Sequence, residues 1–199
     1  MTAARGPQQH RRFDAYTFAC AMTVEERVAR RFGHAVRVGL GVSRGVPEGR
    51  LVSFGIAGAL RPGLPVGTVI DATRVVDESG AVLWEGAPLG AAHAREGTLL
   101  GADRIVDDPA ERAELHARTG ADAVDMESAT LARSGRLAGC IRSVSDTPTS
   151  RLAGLAQAIK LDGRPDYVGF VRGFVREPAE TARAARNSLR ALKALEAVA

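Results

Sequence analysis

Residues 138–148 read AGCIRSVSDTP, an apolar, β-prone run that ends in a polar cluster around Asp146. A buried strand followed at once by polar residues is typical of a parallel sheet, in which ligands bind beyond the carboxyl ends of the strands. The polar residues that follow such strands are therefore the first candidates for a site. Further strands are predicted at residues 16–21, 35–41, 51–56, 66–76, 82–84 and 121–125.

Charged, Ala-rich segments alternate with these strands and are predicted to be helices. Thr23, with Glu26 three residues later, has the spacing of a capping box and predicts a helix that begins there. The alternation predicts one α/β domain at residues 13–199, built on a largely parallel sheet, after a flexible segment at residues 1–12. The other predicted helices are residues 109–119, 128–134, 167–175 and 178–198.

The composition limits the classes of function. The 199 residues are 45% hydrophobic and 25% charged, as in an ordinary globular protein. No run approaches the ~20 apolar residues of a membrane helix, and no secretion signal is recognised, so we expect a cytoplasmic protein. Cys20 and Cys140 lie in apolar runs and are interpreted as buried, reduced thiols. The histidines lack metal-ligand spacing, so no metal is expected.

The net charge of +4 raises the question of an anionic partner. The arginines are interleaved with acidic residues and form no run with aromatic residues of the kind that binds single strands. We therefore expect no nucleic-acid partner. The positive charge would favour approach to an anionic membrane surface, so a peripheral membrane contact stays open.

Three segments carry side chains suited to chemistry. Residues 53–60, SFGIAGAL, end a strand in small residues that would let the backbone approach a ligand. In residues 123–128, AVDMES, Glu127 could accept both hydroxyls of a ribose; the alternative is the preference of acidic residues for a helix N-terminus. In residues 141–147, IRSVSDT, burial would raise the pKa of Asp146 and suit it to deliver a proton, and the alternative is an Asx turn.

Together the three segments resemble the purine-nucleoside branch of the nucleoside phosphorylase superfamily, which includes methylthioadenosine and adenosylhomocysteine nucleosidases. The resemblance runs in order from about residue 16 onward, and VDMES and RSVSDT are its specific signals. A narrower resemblance, carried by CAMTVEERVA and TGADAVDMESATLA, is to the hopanoid-associated group, linked to removal of adenine from adenosylhopane. It implies a three-layer α/β/α fold, a nucleoside substrate that could be lipid-linked, and a homodimer.

The resemblance also implies a role for individual residues. Asp146 would protonate the purine at N7 so that the base leaves neutral. Ser145 and Arg142 would position Asp146 or its loop. Glu127 would hold the ribose hydroxyls, and Met126 would pack under the sugar. The remaining substrate-binding candidates are Asp125, Ala57 and Gly58.

The choice between hydrolysis and phosphorolysis depends on the turn after the first strand. Phosphorylases that the chain resembles place an Arg there to grip phosphate, whereas the nucleosidases place a Glu that activates water. Glu25 falls on that position, with Glu26 as a one-residue alternative, so the resemblance favours hydrolysis without metal or organic cofactor. The helix that relatives have between the second and third strands is replaced by residues 39–50, which predicts a shortened crossover. Ser43 and Arg44 in this segment are candidates for an anion site.

Two rival functions stay open at this point. The first is a phosphorylase that uses inorganic phosphate as co-substrate, gripped by Arg44 or Arg61. The second is a catalytically silent purine-binding protein, which the missing crossover helix motivates. The last helix carries Leu189, Leu192 and Leu195 on one face, which is predicted to pack against the sheet rather than to anchor in a membrane.

Overall fold

The computed structural model describes residues 13–152 and 158–198, so the predicted segment 1–12 lies outside the described residues. The strands are β1 (Thr17–Cys20), β2 (His34–Arg37), β3 (Leu51–Ala59), β4 (Val69–Val76), β5 (Val82–Glu85), β6 (Arg95–Gly101), β7 (Ala123–Asp125) and β8 (Leu137–Asp146). The helices are α1 (Thr23–Ala29), α2 (Pro109–Thr119), α3 (Ser128–Arg133), α4 (Tyr167–Arg176) and α5 (Pro178–Leu195).

The strands form one mixed sheet in the order β2-β1-β3-β7-β6-β4-β5. Strand β8 pairs in parallel with β3 and antiparallel with β4, so that β3, β8, β4, β6 and β7 close into a ring. The antiparallel pairs are β3–β7, β4–β5 and β4–β8, and the remaining pairs are parallel. The predicted α/β fold with a mixed, largely parallel sheet is confirmed.

The core lies on both faces of the sheet, because successive residues of a strand point to opposite sides. In β1, Phe18 and Cys20 join a cluster that α1 and α5 cover, whereas Ala19 joins the cluster on the α3 side. Phe18 packs edge-on against Phe54 of β3, with ring centroids 5.4 Å apart. This packing fixes the position of the strand ends, where the polar residues lie.

The link between β2 and β3 is short, as predicted. It contains one 3-10 turn, at Leu40–Val42, and no α-helix, as the shortened crossover predicted. Strand β2 ends at Arg37 rather than at the predicted residue 41, because Gly39 and Gly41 adopt φ angles of 76° and 59° that break the extended backbone.

The predicted capping box of α1 is wrong, and one strand of the sheet was not predicted. Helix α1 has Met22 as its N-cap, and the carboxylate that reaches back to the Met22 N–H belongs to Glu25 rather than Glu26. Glu26 instead pairs with Arg30 one turn later. Strand β6 was not predicted at all, since its first residues are charged or small.

Helix α5 packs over β8 and β3, but not with its whole leucine stripe. Leu195 is buried in the core, whereas Leu189 is 67% exposed. The prediction that this stripe packs against the sheet therefore holds for Leu195 and is wrong for Leu189. Within the two described ranges, no helix is both long enough and apolar enough to cross a bilayer.

Candidate active site

A cavity of about 410 Å³ opens where β3, β7 and β8 end and where α1 begins. Its polar side chains come from segments that are far apart in the sequence, and apolar side chains form much of its wall. The predicted site residues that line it are Glu25, Ala57, Gly58, Asp125, Met126, Glu127, Ser145 and Asp146. The fold therefore brings to one place most of the residues that the sequence singled out.

Asp146 is the last residue of β8 and its side chain is buried. Ser145 Oγ donates a hydrogen bond of 2.7 Å to one carboxylate oxygen, and Arg112 forms an ion pair with the other. The backbone of Gly58 lies against the same carboxylate, so that a Cβ at position 58 would be 3.2 Å from it. Burial raises the pKa of Asp146, and the Arg112 charge and the Ser145 hydrogen bond offset part of this rise.

Arg112 is a site residue that the sequence analysis missed. Its guanidinium is held by the carbonyl oxygens of Val106, at 3.0 Å, and Thr147, at 2.9 Å, in addition to the pair with Asp146. The sequence around Arg112 does not distinguish it from an arginine on the solvent-facing side of a helix. The one available signal is its spacing of three residues from Leu115, which places both side chains on the buried face of α2.

Arg142 is not among the residues that line the cavity; it is a buried cation that pairs with two carboxylates that do line it. Its Nε is 2.7 Å from Asp125, and its Nη2 is 3.1 Å from Glu127 and donates to Ser53 Oγ at 2.6 Å. Burial alone would lower the pKa of Arg142, but the charges of Asp125, Glu127 and Glu25 raise it above its usual value. The guanidinium therefore stays charged and partly compensates the negative charge of these three acidic residues.

The carboxylates of Asp125 and Glu127 have different partners. Asp125 accepts hydrogen bonds from the backbone N–H groups of Glu127 and Ser128, at 3.2 and 2.9 Å, so it is tied to the start of α3. Glu127 makes no such bond; it accepts the Gly41 N–H at 3.1 Å and lines the cavity. The helix N-terminus interpretation thus fits Asp125, whereas the Glu127 side chain is available to a ligand.

The charge state of Glu127 is sensitive to pH near neutrality. Burial raises its pKa from 4.5 to about 7; the Arg142 charge opposes the rise, while Asp125 and Glu25 add to it. A carboxylate in this state accepts hydrogen bonds as the anion and can also hold a proton.

Glu25 is buried at the start of α1, and each of its oxygens accepts one backbone N–H. The Met22 and Ile56 N–H groups donate at 2.9 Å each, which fixes the carboxylate at the cavity. Burial raises the pKa of Glu25, and the Arg142 charge and these backbone donors reduce the rise. Gly55 makes this arrangement possible, because a Cβ at that position would overlap the Glu25 carboxylate and lie 2.6 Å from Arg142 Nη1.

The candidates for an anion site lie elsewhere. Ser43 Oγ donates to the Leu161 carbonyl at 2.6 Å, Arg44 is exposed, and neither lines the cavity. The crossover segment contributes Leu40 to the cavity wall and the Gly41 N–H to Glu127 instead. Arg61 lines a separate, smaller cavity and pairs with Asp122. Among the residues that the structure describes, no cluster of His, Cys, Asp or Glu could hold a metal ion.

Comparisons with known proteins agree with this architecture. A family model described as the phosphorylase superfamily matches residues 84–195 of the chain. A search of curated proteins gives no match.

Several solved structures share the fold. The 5′-methylthioadenosine/S-adenosylhomocysteine nucleosidase of Helicobacter pylori is 15% identical, with a TM-score of 0.53, and the match covers 88% of this chain and 97% of that one. The Neisseria meningitidis nucleosidase of the same name is 18% identical, with a TM-score of 0.53 and coverage of 88% and 98%. Futalosine hydrolase of Helicobacter pylori is 13% identical, with a TM-score of 0.52 and coverage of 88% and 97%. At these identities the likeness establishes the fold alone.

Proposed function

Because this chain belongs to the phosphorylase superfamily, we propose that it is a nucleosidase that hydrolyses the N-glycosidic bond of a 5′-substituted adenosine and releases adenine. The observation that carries the proposal is the convergence of Glu25, Glu127 and Asp146 on one cavity. These carboxylates come from three separate segments, and glycosidic cleavage has a task for each: activating water, holding the sugar and protonating the base.

Asp146 protonates the purine at N7 while the bond between C1′ and N9 breaks. The electron pair of that bond moves into the base, which leaves as neutral adenine because N7 has gained the proton. Burial supports this role, since it raises the pKa of Asp146 and favours the protonated form. The same carboxyl group can accept a hydrogen bond from an exocyclic amine, which favours a 6-aminopurine.

Glu25 accepts a proton from the water that attacks C1′. Its carboxylate is held by two backbone donors, so its position does not depend on the substrate. Glu127 accepts the ribose hydroxyls, since each carboxylate oxygen keeps a lone pair beside its contact with Gly41 or Arg142. Met126, which lines the cavity, packs under the sugar.

The charges around the cavity favour water over phosphate as the nucleophile. The described cations that line it are Arg104 and Arg112, and both pair with carboxylates. A phosphate would meet Glu25 and Glu127 without a cation that is free to hold it, and like charges at short range repel.

The apolar wall supports a substituent at C5′ that is itself apolar. Its members are Val24, Leu40, Ile105, Val106, Leu152, Ile159, Leu189 and Leu192. An adenosine with a long hydrocarbon at C5′, of which adenosylhopane is one example, would bury that hydrocarbon against these side chains. We place the ribose and base at the carboxylates and the hydrocarbon at this wall.

Adenine release tests the proposal directly. The full chain is given 5′-methylthioadenosine and analogues with longer 5′-alkyl groups, with and without inorganic phosphate, and free adenine is quantified. We expect release without phosphate, faster for the longer alkyl groups. Release only with phosphate would identify a phosphorylase and overturn the role of Glu25.

A purine-binding protein without turnover is the second candidate, and the ion pair between Arg112 and Asp146 is the observation that favours it. A guanidinium beside a carboxylate stabilises the ionised form, which cannot protonate N7. Tight binding of adenine by calorimetry, together with no release from any nucleoside of the series, would establish this alternative.

A further inference from the structure

Helix α4 exposes an apolar face. Tyr167, Val168, Val171 and Val175 are 77%, 69%, 60% and 75% exposed. At 100° per residue these four side chains lie on one side of the helix. A group of large apolar side chains on one exposed helix face is unusual for a protein that meets only water, and it marks an interaction surface.

Basic residues border this face. Arg172 and Arg176 follow the apolar side chains around α4, and neither forms an ion pair with a residue that the structure describes. Helix α5, which packs against α4, adds an exposed stripe of Arg183, Arg186, Arg190 and Lys193 on the side away from the sheet. Residues 158–198 hold eight Lys or Arg against five Asp or Glu, so most of the net charge of +4 lies here.

The surface lies close to the cavity. Leu189 lines the cavity and is 67% exposed, and by helix periodicity it lies between the cavity side of α5 and the basic stripe. Ile159 lines the cavity as well and pairs with Pro165, next to Asp166, whose carboxylate caps the start of α4 by accepting the Gly169 N–H at 3.0 Å. The residue pair Ile159–Pro165 therefore connects the cavity wall to the segment from which α4 begins.

We propose that the apolar face of α4, with its basic border, docks onto the surface of an anionic lipid bilayer. A helix with an apolar face and a basic rim binds in the plane of such an interface, where apolar burial and attraction to anionic headgroups add. The proposal goes beyond the nucleosidase function and does not depend on it.

The positive charge around the apolar face of α4 favours an anionic membrane, rather than a second copy of the chain, as its partner. In a two-fold symmetric dimer through this face, the same surface would lie on both sides of the contact, so two surfaces that each carry a net positive charge would face each other. Like charges at short range repel, whereas anionic lipid headgroups would attract the same surface.

Vesicle co-sedimentation of the full chain tests this surface. Vesicles of phosphatidylcholine alone are compared with vesicles that also contain phosphatidylglycerol. We expect the protein to bind the anionic vesicles. Val171→Glu or Val175→Glu should reduce this binding at least about tenfold, because the bound state would then bury a carboxylate where it otherwise buries an apolar side chain. Arg172→Ser and Arg176→Ser should each lower binding about fivefold.

Matched controls lie away from the face. Val82→Glu changes a valine on β5 that is 51% exposed, and Arg133→Ser removes an exposed arginine from the end of α3. Both should bind vesicles like the unchanged protein, and thermal unfolding checks that every variant folds. No binding to anionic vesicles, or equal binding by the α4 variants, would overturn the proposal. A lower molecular mass of the α4 variants in light scattering would overturn it too, and would assign the face to a second copy.

Discussion

The guanidinium of Arg112 forms an ion pair with the carboxylate of Asp146 in the cavity wall, where 1% and 3% of the two side chains are exposed. Two effects act on the pKa of Asp146 in opposite directions: burial raises it and the Arg112 charge lowers it. In the proposed reaction Asp146 must hold a proton until the base leaves. Arg112 therefore lowers the highest pH at which this proton is present.

Replacing Arg112 by Met tests this relationship. The change removes the charge while keeping an unbranched side chain, so the pKa of Asp146 should rise further and the alkaline limb of the pH–rate profile should move to higher pH. Breaking a buried pair also costs about 3–5 kcal/mol, to be measured by denaturant unfolding. Arg118→Met, at an exposed position of the same helix, is the control and should change neither quantity. An unmoved alkaline limb would show that Arg112 does not act on the proton of Asp146.

Asp146→Asn should abolish protonation of the base while keeping the size and shape of the side chain. The change also leaves the buried Arg112 charge without its carboxylate, so denaturant unfolding must show that the variant folds. The Asn oxygen can still accept the hydrogen bond from Ser145 Oγ. Loss of a general acid lowers the rate of the chemical step by about 10²–10⁴-fold, so we expect adenine release to fall at least about a hundredfold. Calorimetry should still detect binding of the nucleoside. Undiminished release by a folded variant would refute the role of Asp146.

The adjacent residues Glu25 and Glu26 provide a matched pair for the water-activating role. Glu25→Gln removes the base at the cavity, and its amide can keep only part of the contacts with the Met22 and Ile56 N–H groups. We expect a loss of about 10²-fold or more in single-turnover hydrolysis. Glu26→Gln disturbs only the surface pair with Arg30 and should keep full activity. The reverse result, with Glu26 essential, would move the role by one residue.

The sequence predicted the position of the site better than its electrostatics. Asp146 and Gly58 lie at the ends of β8 and β3, and Glu127 follows the end of β7 by two residues. The ends of neighbouring strands meet at one edge of a sheet. Local order along the chain was therefore enough to bring them together. Whether these placed residues carry out the assigned chemistry stays a prediction.

The features of the fold and the site that the sequence did not predict depend mostly on contacts between residues that are far apart in the sequence. Strand β6 begins with Arg95, Glu96 and Gly97, which are charged or small. Its two buried leucines alone are too short an apolar run to predict a strand. Arg112 is buried with its charge paired to Asp146, 34 positions away, and no local pattern marks that distant partner. The capping box of α1 was predicted one residue too late, whereas Glu25, the residue that the resemblance placed at the site, does line the cavity.

The raised pKa of Glu127 predicts how stability depends on pH. The group titrates near 4.5 when free and near 7 in the folded protein, chiefly because burial penalises its charge. Between these values the folded protein holds a proton that the unfolded chain has released. The stabilisation from this proton is fully present below about pH 4.5 and is lost as the pH rises through about 7. We therefore expect the free energy of unfolding to fall over this range.

Glu127→Gln isolates that contribution, because Gln keeps the shape of the side chain but carries no titratable proton. Denaturant unfolding across the same pH range should give a shallower slope for the variant than for the unchanged protein. The slope should not vanish, since burial also raises the pKa of Glu25 and Asp146 and both act in the same direction. Glu48→Gln, whose side chain is 90% exposed in the unchanged protein, should leave the slope as it is. Equal slopes for Glu127→Gln and the unchanged protein would mean that Glu127 is ionised in the folded state well below neutral pH, and that Arg142 outweighs the cost of its burial.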